Sequence, residues 1–314
     1  MRILFSIGAA GDTVQAIQTT LTNSGFPVGK IDGDFGKATA AALNQFQGKN
    51  QLSNTGSVDE ATWQKLMKQP IPSVGERCLQ LTACFEGHGF GLAVGNFDGA
   101  LLTWGIIGFT LSSGNITAMV RSIQAAFPEK ITQAFGNSAN ELLQLVNGSP
   151  EFQKSWADAH TVGGRALASP WKEMFANFGA IPEVQQEQLK RVRSNYLEPA
   201  IATCAKLGFS SELGLALCFD IHVQNGGIKP NTMEALLPQV KSVQESKARE
   251  LVANAVAGSA RPQYQEDVRS RKLTIATGTG SVHGRQFKLE SWGLSDAFTA
   301  SEISANAATA GNNA

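Results

Sequence analysis

The sequence lacks any excess of charge. Its 26 lysines and arginines balance 26 aspartates and glutamates over 314 residues, so no global field would draw in nucleic acid or an anionic membrane. It also lacks a membrane span, because no stretch approaches the roughly 20 apolar residues that a bilayer requires. Metal patterns are missing too: Cys78, Cys84, Cys204 and Cys218 show no CxxC or Cys/His spacing, and the four histidines are scattered. No metal and no other cofactor is expected. The cysteines read as buried apolar residues, free thiols being among the most buried side chains; a disulfide is the alternative if the chain works outside the cytosol. Finally, "MRILFSIGAAG" supplies one arginine and an apolar run at the lower limit for a leader, and folded-looking sequence follows at once. It reads as mature chain, so action outside the cell would need a route other than an ordinary signal peptide.

What is there begins with helical punctuation. "GDTVQAIQTTLTNSGF" opens on Asp12 or Thr13, places Val14, Ile17 and Leu21 at helical spacing and stops at Gly25. "VGKIDGDFGKATAAALNQFQGKN" gives a glycine-rich loop and a second helix, with Ala42 and Phe46 one turn apart. "SVDEATWQKLM" is a third, opening on Ser57 with Glu60 three residues on, a capping-box signature. Three short helices predict a compact bundle over 1–70, and the prolines and glycine of "KQPIPSVGE" predict a linker over 71–75. Gly33 and Gly36 serve turn geometry in one reading, Phe46 packs the core, and Asp32 and Asp34 either cap the second helix or face a ligand.

These motifs, "IDGDFGKATAAALNQFQ" above all, resemble the peptidoglycan-binding type 1 domain of bacterial and phage wall hydrolases over residues 10 to 68. The resemblance implies a shallow groove for wall polymer beside the loop Ile31 to Gly36, with Asp32 and Asp34 as substrate-binding candidates.

From residue 76 the chain changes character. "GERCLQLTACFE" is helical and ends on Glu86 against "GHGFG". Residues 90 to 104 alternate loosely and are broken by Gly95 and Gly99, as a small hairpin would be. Further helices are predicted near 114–126, 139–147, 170–178, 184–207, 210–223 and 232–256. The fold class is therefore mainly α, with a small sheet in a lysozyme-like layout over 76–297. The small, polar "TASEISANAATAGNNA" predicts a disordered tail over 298–314.

Glu86 and Asp98 are the only acidic residues in an otherwise glycine-rich, apolar stretch, "CFEGHGFGLAVGNFDGALLTWGIIGFT". Glycosidic cleavage needs one carboxylic acid to protonate the leaving oxygen and one carboxylate on the other side of the sugar. An apolar setting favours the protonated acid, and Glu86 lies near Phe85 and Phe90. Asp98, on the hairpin, would be more open to water. On the residues alone both also have plain structural readings: Asp98 before Gly99 suits a turn, and Glu86 can simply end a helix.

"DGALLTWGIIGFTLSSGNITAMV" resembles the signature of the family 46 chitosanases of the lysozyme superfamily. The likeness continues in "YLEPAIATCAKLGFSSELGLALCFDIHVQNGG" and, more weakly, in "VHGRQFKLESWGL". Carried over, Glu86 takes the place of the general acid, Asp98 that of the base activating water, and Thr103 that of the residue orienting that water. Three departures stand out: the Glu-to-Asp spacing is short, the family's arginine two residues after the aspartate is Ala100, and its aspartate toward the amino sugar is Asn115. Asn115 remains a substrate-binding candidate, and losing that carboxylate suits a neutral, N-acetylated polymer. Asp220 reads as a buried structural carboxylate.

Together the resemblances imply a peptidoglycan hydrolase of muramidase type, inverting, acting in the periplasm or cell wall as a monomer. Without a leader, they point to a phage endolysin released through a holin or to a toxin delivered by a secretion system. An immunity protein would be a further partner in the toxin case, while nucleic acid and membrane are not expected as partners. The rivals are a chitosanase or chitinase, a lytic transglycosylase and a non-enzymatic wall-binding protein.

Overall fold

In the computed structural model, which describes residues 2–87, 89–301 and 303, helices dominate and three small antiparallel sheets accompany them. This is the mainly α class expected. The chain divides into two compact units, one of Met1–Phe85 with Asn195–Ala314 and one of Glu86–Ser194.

In the first unit the three expected N-terminal helices form over Asp12–Asn23, Lys37–Lys49 and Glu60–Met67. Val14, Ile17, Leu21 and Leu43 are fully buried, and Phe46 packs edge-on against Phe26 at 5.5 Å. Two buried glutamines organise the loops between the helices. Gln18 Oε1 accepts from the amides of Asp32 and Gly33, while its Nε2 donates to Asp32 Oδ1, Asp34 O and Thr39 Oγ1. Gln47 does the same for Thr55 and Gly56. The third helix corrects the expected cap: Asp59, not Ser57, takes the N-cap, its carboxylate accepting from Thr62 N at 2.7 Å. Asp32 and Asp34 do not cap the second helix, whose N-cap is Gly36 with no side-chain bond.

The rest of this unit packs onto that bundle. Ser6 N donates to Ser291 O, Ser291 Oγ to Ile7 O, and the buried Trp292 Nε1 to Ala10 O. The helix Val74–Glu86 ends where expected, and Glu198–Leu207, Glu212–Asn225, Pro230–Val240, Glu245–Gly258 and Gln265–Thr277 follow. The continuous helix expected over 184–207 is instead Pro182–Val192 and Glu198–Leu207 joined by a π-helical turn, Arg193–Leu197. Pro199 has no amide to donate to the residue four back, which loosens the ladder there. The single helix expected over 232–256 breaks at 241–244, just past Pro238. Residues 298–300 bond to Ser210 and Glu212; of the tail expected to be disordered, residues 302 and 304–314 lie outside the described residues.

In the second unit a five-stranded antiparallel sheet is built from very short strands. The expected hairpin forms, with Ala93–Val94 opposite Thr103–Trp104, and Phe109–Thr110 extends it on one side. Ala166–Leu167 and Thr161–Val162 extend it on the other. The helices Asn115–Ala126, Pro128–Phe135, Ala139–Asn147, Pro150–Ala159 and Trp171–Gly179 surround an aromatic core. There Trp104 stacks on Phe178 at 5.3 Å and its indole N–H donates to Phe175 O, while Phe135 meets Phe175 edge-on at 5.1 Å.

Candidate active site

Glu86 is the last residue of the helix Val74–Glu86 and is half-buried. One turn earlier, Thr82 Oγ1 donates to Asp220 Oδ1 at 3.1 Å. Asp220 is fully buried and held by Arg271 at 2.7 Å and Lys272 at 2.5 Å. Burial by itself would raise its pKa, but the two cations outweigh burial and hold it down at about 2. Arg271 also lies over the ring of Phe85, 5.0 Å from its centroid. The carboxylate thus fixes the end of the helix that presents Glu86, in keeping with the structural reading of Asp220.

After Glu86 the chain is clamped by close backbone approach. A Cβ on Gly179 would fall 2.1 Å from Phe90 O, so only glycine lets the helix Trp171–Gly179 lie against the loop at Phe90 and Gly91. Buried Gln188 ties this loop to the sheet: its Nε2 donates to Phe90 O and its Oε1 accepts from Ile106 N, each at 3.0 Å. Gly105, at φ +92°, makes room for that amide.

Asp98 is exposed on the loop between the paired strands, with Oδ1 accepting from Ala100 N at 3.0 Å. Asn96 closes the loop, its Oδ1 accepting from Leu101 N and its Nδ2 donating to Asp158 at 2.7 Å. Thr103, on the returning strand, is 9% exposed, and its hydroxyl has no hydrogen-bond partner among the described residues. Asp98 and Thr103 are therefore brought onto one hairpin, the first solvated and the second nearly enclosed. Asn115 opens the next helix and donates through Nδ2 to Ser113 Oγ.

Asp32 and Asp34 lie in the other unit. Asp32 Oδ1 accepts from Asp34 N, and this bond with that from Gln18 holds its pKa below the usual range. Asp34 pairs with Arg285 at 3.1 Å. A cavity of about 540 Å³ in the same unit is lined by Asn225, Lys229, Tyr264 and Asp267 among others, and by none of the candidate residues. All four cysteines are free thiols; Cys78, Cys204 and Cys218 are buried, and burial pushes the Cys84 thiol up to about 12. Among the described residues no cluster of His, Cys, Asp and Glu could hold a metal, and no helix is long and apolar enough to cross a membrane.

Sequence reasoning passed over Asn96, Gln188 and Gln18, which position these loops. Asn96, an amide between Gly95 and Phe97, carried some signal, while Gln18 beside Thr19 and Gln188 beside Glu187 carried none.

Residues 10–66 match the peptidoglycan binding domain family. Native chitosanase from Bacillus subtilis MY002 is 18% identical, with 70% of this chain and 98% of that chain covered and a TM-score of 0.48. The family 46 chitosanase of Gynuella sunshinyii, solved with chitotetraose, is also 18% identical, at 69% and 98% coverage and a TM-score of 0.47. The Burkholderia AP3 phage endolysin is 17% identical over 85% of this chain and 98% of that one, with a TM-score of 0.20. Residues 88–255, more than half of the chain, match glycosyl hydrolase family 46, and the chain, a glycoside hydrolase, belongs to that family.

Proposed function

We propose that the chain hydrolyses the glycan strand of peptidoglycan between N-acetylmuramic acid and N-acetylglucosamine. The observation that carries this reading is the presence, in one chain, of a peptidoglycan binding domain match and a family 46 match. A wall-binding segment raises the local concentration of the polymer at the hydrolase. The target is the cell wall, reached through a holin or a secretion machine.

In this mechanism Glu86, in its protonated form, gives its proton to the glycosidic oxygen as the bond to C1 breaks. Asp98 takes a proton from a water molecule whose oxygen attacks C1 from the opposite face, inverting the anomeric centre. Thr103 holds that water. Single displacement of this kind requires the two carboxyl groups to stand about 6.5–9.5 Å apart in the working complex. The half-burial of Glu86 and the exposure of Asp98 support the division of roles.

Chitosan hydrolysis is the second reading, favoured by family membership itself. Ala100 and Asn115 weigh against it, because they remove an arginine and a carboxylate where the family's chitosanases carry them. The test is digestion of purified peptidoglycan and of chitosan, with mass spectrometry of the soluble fragments. Fragments with reducing ends and no 1,6-anhydro sugar are expected from peptidoglycan. Asp98→Asn should lower the rate by about 10²–10⁴-fold. Anhydro products would make the protein a transglycosylase, and cleavage of chitosan alone would establish the second reading.

A further inference from the structure

Beside Asp98 the second unit holds an aromatic and a cation that the mechanism does not use. Phe97 precedes Asp98 and is 46% exposed, in a unit whose other aromatic side chains are mostly buried. Arg165, on the loop between Thr161–Val162 and Ala166–Leu167, places its guanidinium 4.6 Å from the centre of the Phe97 ring. It is exposed and has no carboxylate partner among the described residues. The nearby acid Asp158 is already engaged, by Lys154 at 2.5 Å and by Asn96.

The two loops are tied together by backbone. Gly95 N donates to Arg165 O at 2.8 Å, and Asn96 N donates to Thr161 Oγ1 at 2.8 Å. Phe97, Asp98 and Arg165 are thereby set in one frame before any ligand arrives, which reduces the ordering cost of binding. The chemistry of the pair is specific. An aromatic face packs against the C–H face of a pyranose, and an unpaired guanidinium offers a planar fork that fits a carboxylate. A polymer of cationic amino sugars would meet like charge here, whereas a wall glycan carries carboxylates on the stem peptides of its muramic acid residues, or on their lactyl groups where no peptide is attached. Arg165 restores a positive charge from a different strand in a loop region where Ala100 has removed one.

We propose that Phe97 and Arg165 form a subsite for a carboxylate-bearing sugar next to Asp98, with Arg165 the specificity-determining residue for an anionic polymer. This inference rests on peptidoglycan being the substrate.

The test uses the full chain, native peptidoglycan sacculi, and sacculi whose carboxyl groups have been amidated with methylamine through a carbodiimide. On native sacculi Arg165→Gln should lower kcat/KM about tenfold, the loss falling on KM, with Arg165→Lys recovering part of it. On amidated sacculi the wild type should fall to the level of Arg165→Gln. Phe97→Ala should weaken both substrates alike. Equal losses for Arg165→Gln on the two substrates, or no loss, would overturn the proposal. Cosedimentation of Glu86→Gln protein, with and without Arg165→Gln, separates this from the parent reading. A carboxylate-dependent difference in binding, together with no release of reducing ends by the wild type, would remove the hydrolase reading and leave the subsite standing. Cleavage without that difference would do the reverse.

Discussion

Both units have apolar cores, but they differ in what else they bury. The first buries ions: Asp220 between Arg271 and Lys272, Glu212 against Arg77 and Arg2, and Arg249 against Glu245 and Asp296. The second buries rings, with Trp104, Phe135, Trp156, Trp171, Phe175 and Phe178 in mutual contact. Buried ion pairs add little net stability, because desolvation offsets attraction, but removing one partner is costly. Rings instead fix position by shape and tolerate no extra volume. The first unit should therefore fail when a charge is lost, and the second when an atom is added.

The largest effect expected from this contrast is at Asp220. Asp220→Ala removes the carboxylate that holds the two buried cations Arg271 and Lys272 and should cost about 3–5 kcal/mol, read as the shift of the urea midpoint. The same pair makes the first unit acid-sensitive. The folded-state pKa, at about 2, lies below the ordinary 3.8, so the stabilisation is complete above the higher value and is lost as pH falls toward the lower one. A melting curve that stays flat across that window would break the comparison.

Next is Gly179→Ala, which forces a methyl onto Phe90 O and should cost about 1–3 kcal/mol. Activity should fall further than stability does, because the displaced loop follows Glu86. Parallel kinetics and melting would show this, and a loss of stability alone would argue that the loop does not position Glu86. The smallest effect is at Asp59, where Asp59→Ala removes an N-cap and should lower thermal stability by about 1 kcal/mol.

The sequence exposes this division only partly. Helices with apolar stripes, such as Asp12–Asn23 and Asn115–Ala126, were legible because their buried residues are aliphatic and regularly spaced. The helix Gln265–Thr277 was not, since Arg271, Lys272 and Thr274 occupy positions it buries. Charges turned inward erase the pattern by which a helix is recognised. The strands Thr161–Val162 and Ala166–Leu167 were missed for another reason: two residues are too few to show alternation. Of the candidate site, Glu86 and Asp98 stood out through local contrast with glycine and apolar neighbours and through family resemblance, and Thr103 through the resemblance alone. Arg165 did not, because nothing in "TVGGRAL" announces that its loop lies beside Phe97.

The first unit is assembled from both ends of the chain, with the second inserted between them. On the ribosome this imposes an order. After Phe85 emerges, about 110 further residues must be made before Asn195, roughly 5–20 s of elongation. Later still come Ser291 and Trp292, to which Ser6 and Ala10 bond, so the nascent N-terminal segment must wait for its partners while the inserted unit already has all of its own residues.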